Sequence, residues 1–200
     1  MAARPRRASR SARRAASHAI AQIRLASGGL VPASGGSSAA PAARAALAGL
    51  AAPIAERVEM VALLHVVTLD AQIVGYAAGE HYPRWRPGRA LGGPSRTAWT
   101  SLVAPDIGEP EYPCLHTTYA GAAEIVLTAL AGHPRTRLPL WSLTAPGSVR
   151  YYTDWRQVTA EIVDAGVWGG VHLRTSAQAG ASLGRRVAFR CLTRWSGQAA

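Results

Sequence analysis

Apolar residues recur at helical spacing through the middle of the chain. Met60, Leu63, Leu64, Val67, Ala71 and Val74 share one side of a pattern running from about Ile54 to Ala78. That spacing predicts a helix, with Gly79 as its stop. A shorter helical pattern begins around Ala45 and is broken at Pro53. Residues 79–115 are rich in Pro and Gly and predict loop. Helical spacing resumes from His116 to Leu130, with Tyr119, Ala123, Val126, Leu127 and Leu130 on one side and Gly132 and Pro134 ending it. Residues 138–153 are irregular, with strand character at Val149, Tyr151 and Tyr152. Asp154 is placed to cap a short helix reaching about Ala165. Gly169-Gly170 predicts a turn. A final helix is expected from His172 to about Leu192, with a face of small residues at Ala177, Ala179, Gly180 and Ala181. No internal repeat is visible. The expected fold is all-α, a short helical bundle with long irregular connections.

Composition divides the chain in two. The apolar share is 48% and the charged share 16%, so the 200 residues can build one core. The net charge of +11 invites a nucleic-acid reading, but its location argues against one. Residues 1–55 carry eight Arg and no acid; residues 56–200 carry fourteen Arg against eleven acids, or +3. Residues 1–44 therefore read as a basic leader and linker, and residues 45–200 as the folded domain. The leader resembles an organelle transit peptide in composition, with a disordered leader as the alternative, so the compartment stays open between cytoplasm and organelle. Its arginines lack the interleaved aromatics of specific nucleic-acid binding.

Val61–Ala78 is the best candidate for a bilayer span. His65, Asp70 and Gln72 interrupt it, and a charge near mid-span costs about 2.5–3.5 kcal/mol on insertion scales. A buried core helix is the better expectation. Cys114 and Cys191 permit one disulfide but no secreted framework, and neither sits in a C-x-x-C metal spacing. The chain has no Lys, so every basic site group must be Arg or His.

Three segments carry candidate chemistry: Trp85-Arg86-Pro87, Tyr112-Pro113-Cys114-Leu115-His116-Thr117-Thr118, and Trp168-Gly169-Gly170-Val171-His172-Leu173-Arg174. The last two place a histidine at the expected start of a helix. Such starts carry unpaired N–H groups and a positive partial charge, which suit tetrahedral oxyanions. Two such histidines with a nearby arginine make a cradle for phosphate or vanadate. Cys114 reads more simply as a small buried residue than as a reactive thiol at a helix start. Arg185-Arg186 reads as a solvated helix face, and His65 and His81 carry no chemical signal.

The order and spacing of these segments resemble the vanadium-dependent haloperoxidases and the type 2 phosphatidic acid phosphatase superfamily, over roughly residues 56–192. Arg57 to Pro87 is similar to the family's first block, ending in Tyr82-Pro83-Arg84-Trp85-Arg86-Pro87. Pro113 to Leu130 is similar to its Pro-Ser-Gly-His helix. Asp164 to Val187, with His172 and Gly180-Ala181-Ser182-Leu183-Gly184-Arg185, is similar to its last block. The resemblance implies a haloperoxidase-type bundle. It implies that Arg86 binds the anion, that His116 is the acid–base histidine, and that His172 ligates vanadate. The partners implied are a small oxyanion, with peroxide and halide. In a phosphatase the partner is a phosphoester, attacked by His172 through a phosphohistidine.

The supporting residues differ. The family lysine falls at Gly79 and the family serine and glycine at Cys114 and Leu115. The Ser-Arg pair falls at Ala165-Gly166, and the orienting aspartate at Ser176. Losing two charged hydrogen-bond donors costs about 3–6 kcal/mol, roughly two to four decades of anion affinity. The expectation is haloperoxidase activity that is weak or lost, with a phosphatase or a non-catalytic pseudoenzyme as alternatives. The chain is also short for the family, so the expectation is either a truncated form or an apolar surface covered by a second protomer, as a homo-oligomer.

Overall fold

The structure is a computed structural model that describes residues 52–91, 101–102, 111–134, 137–141 and 149–198. The basic leader and the pattern near Ala45 lie outside the described residues. The elements run α1 (Ile54–His81), α2 (Pro87–Leu91), α3 (Leu115–Ala131), β1 (Leu138–Trp141), β2 (Val149–Tyr152), α4 (Trp155–Trp168) and α5 (Arg174–Gln198). The architecture is an all-α bundle carrying one small antiparallel ladder, in which Leu138 pairs with Tyr152 and Trp141 with Val149.

Helix α3 is the centre of the bundle, packed by α5, α1 and α4. The main core joins Leu63, Leu64, Val67 and Ala71 of α1 to Ala122 and Val126 of α3 and Ala188 of α5. The middle of the predicted α1 stripe, Leu63, Leu64, Val67 and Ala71, is thus buried, while Met60 is half-buried and Val74 exposed at its ends, and the helix does not stop at Gly79. Gly79 is buried and helical, and the helix ends at His81, just before Tyr82-Pro83. A residue preceding proline disfavours helical backbone, which outweighs the weak stop signal of a lone glycine. The opposite face of α1 leaves Val58, Val66, Leu69 and Ile73 exposed. Among the described residues α1 is the one helix long and apolar enough to cross a membrane by length and composition, yet one side of it packs on α3 and α5 as a core helix does.

Helix ends follow local chemistry. Asp154 caps α4 by accepting a hydrogen bond from the Arg156 backbone N–H at 2.8 Å. Helix α4 continues to Trp168, three residues past the expected end, and Gly170 turns the chain at φ 74°. At the other end of α3, Gly132 takes φ 68°, and its carbonyl accepts from the indole Nε1 of Trp155 at 2.8 Å.

The closest approach in the fold is between α3 and α5. Small residues make it possible. Ala177, Gly180, Ala181, Gly184 and Ala188 form a buried stripe on α5 at helical spacing. Ala179 is only half-buried and lies beside that stripe. A Cβ at Gly184 would collide with the backbone of Thr118, one at Gly180 with the Cys114 carbonyl, and one at Gly121 with the Ala181 carbonyl.

Arg185 departs from the expected solvated face. Its Nε and Nη2 donate to the two carboxylate oxygens of buried Glu124 at 3.0 and 2.8 Å. Arg186 is exposed. Arg185→Ala is therefore expected to destabilise the fold by about 1.5–3 kcal/mol, since it strands a buried carboxylate. Arg186→Ala is expected to stay within about 0.5 kcal/mol. Urea unfolding of the two variants side by side measures the difference.

Candidate functional site

Two chain segments meet at the N-terminal end of α3. One is the 111–116 approach to the helix, and the other is the 171–173 link between α4 and α5. The Cys114 N–H donates to the carbonyl of Ser176, in the first turn of α5, at 3.1 Å, and the N–H groups of Val171 and His172 both donate to the Gly166 carbonyl of α4, at 3.0 and 3.1 Å. Cys114 occupies the N-cap position of α3 without a side-chain cap bond. Its carbonyl accepts from the hydroxyls of Thr117 and Thr118 at 3.0 and 2.9 Å.

The centre of the arrangement is His172, which is 5% exposed. Its Nδ1 lies 2.8 Å from Oε2 of Glu111, a carboxylate with no exposed surface. A carboxylate only accepts, so Nδ1 carries the proton and Nε2 is the nitrogen left for a ligand. The second oxygen of Glu111 accepts from the Leu173 backbone N–H at 2.7 Å. The ring of His116 faces that of His172 at 6.1 Å between centroids. Cys114, His116 and His172 each present a donor atom within 4.8 Å of the others.

Charge in this cluster is mutually supported. Burial alone would raise the Cys114 thiol pKa. The charge of His172 and hydrogen bonds from His116 and His172 outweigh it and hold the thiol well below its ordinary value. Burial likewise opposes charge on His172. The Cys114 thiolate, and after it Glu111, overcome that opposition and lift His172 from 6.5 to about 9. Both shifts run the same way, toward a negative Cys114 and a positive His172, with the Glu111 carboxylate behind the imidazole. Cys191 lies elsewhere, with its Sγ 3.7 Å from an Asp70 oxygen, and both cysteines are free.

The expected site residues can now be placed. His116 and His172 come together, although His172 sits two residues before α5 rather than on its first turn. Arg86 is buried, on the segment between α1 and α2. Arg84 stacks on Tyr112 at 4.9 Å, Arg89 stacks on Trp85 at 5.6 Å, and Arg174 pairs with Asp164 at 2.6 Å. Ser176 is fully buried with an unpaired hydroxyl, and Gly166 lies against the His172 ring.

Two functional groups escape the sequence reading. Cys114 is buried, as expected, but it faces both histidines instead of merely filling space. Glu111 gives no signal at all, being one acid in a Pro-rich stretch read as loop. A clue was available in the absence of an aspartate at 176: a buried histidine needs an orienting partner, and Glu111 is the acid nearest in sequence to the His116 block.

The architecture has known relatives. The model of the VCPO second helical-bundle domain matches residues 59–198. Among solved structures, one described as the first bacterial vanadium-dependent iodoperoxidase is similar at a TM-score of 0.66 and 21% identity, over 76% of this chain and 36% of that one. This chain thus spans about a third of that relative's length. No curated protein matches the chain. Helix order, the α3–α5 seam and the match over most of the described residues lead to one conclusion: the chain belongs to the vanadium chloroperoxidase second helical-bundle domain family.

Proposed function

We propose that this chain is a haloperoxidase-family protein in which halide oxidation by peroxide is lost. The observation behind this reading is the Cys114 thiol set between His116 and His172. Vanadate, the family's cofactor, does not fit this donor set. A thiolate reduces pentavalent vanadium, and peroxide carries an activated thiolate to sulfenic acid and beyond. The charge is also wrong for an oxyanion. Glu111 and Cys114 contribute negative groups, while the family's lysine and arginine positions are Gly79 and Gly166. Arg86 and the His172 imidazolium are left to offset them.

A second reading is phosphoester hydrolysis, and Glu111 favours it. By holding the Nδ1 proton, Glu111 leaves Nε2 of His172, once it has given up its own proton, as the nucleophilic nitrogen, with His116 as proton donor and Arg86 as the anion-binding group. One experiment separates the readings. The purified chain, supplied with vanadate, peroxide and iodide or bromide, is expected to oxidise halide no faster than a protein-free control. Vanadate-dependent turnover above that control overturns the proposal. Hydrolysis of p-nitrophenyl phosphate that vanishes in His172→Ala moves the function to the second reading.

A further inference from the structure

We infer that Cys114, His116 and His172 form a binding site for one divalent ion of the zinc class, with a fourth coordination position open. The three donors come from two separate segments, and no metal spacing in the sequence announces them. One sulfur and two imidazole nitrogens form a borderline-soft set. That set suits zinc and disfavours magnesium or calcium, which take oxygen ligands.

Geometry supports the assignment. The donor atoms already lie within 4.8 Å of one another. In a tetrahedral zinc site with metal–ligand bonds of about 2.0–2.3 Å, donors sit roughly 3.3–3.6 Å apart, so they need to close by about 1.5 Å at most. The pairing of Nδ1 with Glu111 at 2.8 Å is the carboxylate–histidine arrangement that fixes a metal-binding imidazole and directs Nε2 to the ion. The second Glu111 oxygen is anchored by the Leu173 N–H, so the carboxylate is itself held in place.

Charge supports it as well. A bound dication would balance the fully buried Glu111 carboxylate, and zinc takes cysteine as the thiolate, with release of its proton on binding. His116 is only half-buried and provides the route from solvent. Three protein ligands and an open position make the pattern of a reactive zinc site, able to hold water or an anion, rather than a closed structural one.

The test uses the full, untagged chain in a phosphine reductant, with Zn2+ and Co2+ as probes. Calorimetry is expected to show one Zn2+ per chain. Co2+ is expected to give a thiolate-to-metal charge-transfer band that reaches its maximum at one equivalent. The band should persist in Cys191→Ser and vanish in Cys114→Ser. Glu111→Gln should weaken binding about 10–100-fold, as loss of a group orienting a ligand does. If Cys114→Ser fails to fold, His116→Ala, at a half-buried position, must weaken the native-chain affinity. Absence of saturable binding overturns the inference. So does a Co2+ complex without a thiolate band, or a band that survives in Cys114→Ser. None of these readouts involves halide or phosphoester turnover, so the site and the proposed function stand or fall separately.

Discussion

Gly184→Ala is expected to cost about 3 kcal/mol or more of unfolding free energy, against a change within about 0.5 kcal/mol for Ser182→Ala on the exposed face of the same helix. The sign is informative. In an exposed helix interior, Gly to Ala stabilises by about 1 kcal/mol, because glycine loses more backbone entropy on folding. At Gly184 the added Cβ would overlap the Thr118 carbonyl and crowd the Ala122 backbone nitrogen. These are backbone atoms within α3 and cannot rotate away, so the two helices must separate. Separation opens the seam that the small-residue stripe closes, and it weakens packing in the main core, to which Ala188 contributes one turn further on. Gly180→Ala should be comparable in size and should also disturb the site, since its Cβ would meet the Cys114 carbonyl and the Thr117 hydroxyl. Denaturant unfolding by circular dichroism measures both. A stabilised Gly184→Ala variant would show that α3 and α5 are not in backbone contact.

Glu111→Ala is expected to be the most damaging change at the site, at about 3–5 kcal/mol. It removes one carboxylate and strands two buried groups, the His172 ring and the Leu173 N–H. Glu111→Gln is milder, because an amide oxygen can still accept from Leu173. However, its NH2 group would face Nδ1 and force the ring proton onto Nε2. The His172 pKa should then fall from about 9, and NMR titration of the ring detects the shift. An unmoved His172 titration would remove Glu111 from its positioning role.

The same pair determines how stability depends on pH. His172 has a folded pKa raised above 6.5, so its contribution is complete below about 6.5 and is lost as pH rises through about 9. Cys114 has a lowered folded pKa, so its contribution is present above the ordinary value of 9.0 and is lost as pH falls through the depressed one. Between about 6.5 and 9 the native pair holds one proton on His172, and the unfolded chain holds one on the thiol. The proton count is then equal and the contribution is flat. It declines as pH falls below about 6.5, where the unfolded chain takes up a second proton on His172; near 9 the native imidazolium and the unfolded thiol lose their protons together, so it stays flat there.

Much of the bundle was legible in the amino-acid order. The stripe Leu63, Leu64, Val67 and Ala71, the Asp154 cap, the Gly132 stop and the Gly169-Gly170 turn are each decided within a few residues by periodicity or by a local hydrogen bond. The motif order around Arg86, His116 and His172 carried the family resemblance for the same reason, since the signals lie within short blocks. Arg185 was misread because its partner, Glu124, is 61 residues away. Tertiary structure alone decided the character of the site. It brought Glu111 to His172 across 61 residues and turned Cys114 toward both histidines. Neither contact has a period, a cap or a spacing, because each depends on where two loops are carried by helices packed through glycine. To His116 and His172, read from the sequence as part of an anion site, three dimensions add the thiol of Cys114 and the carboxylate of Glu111.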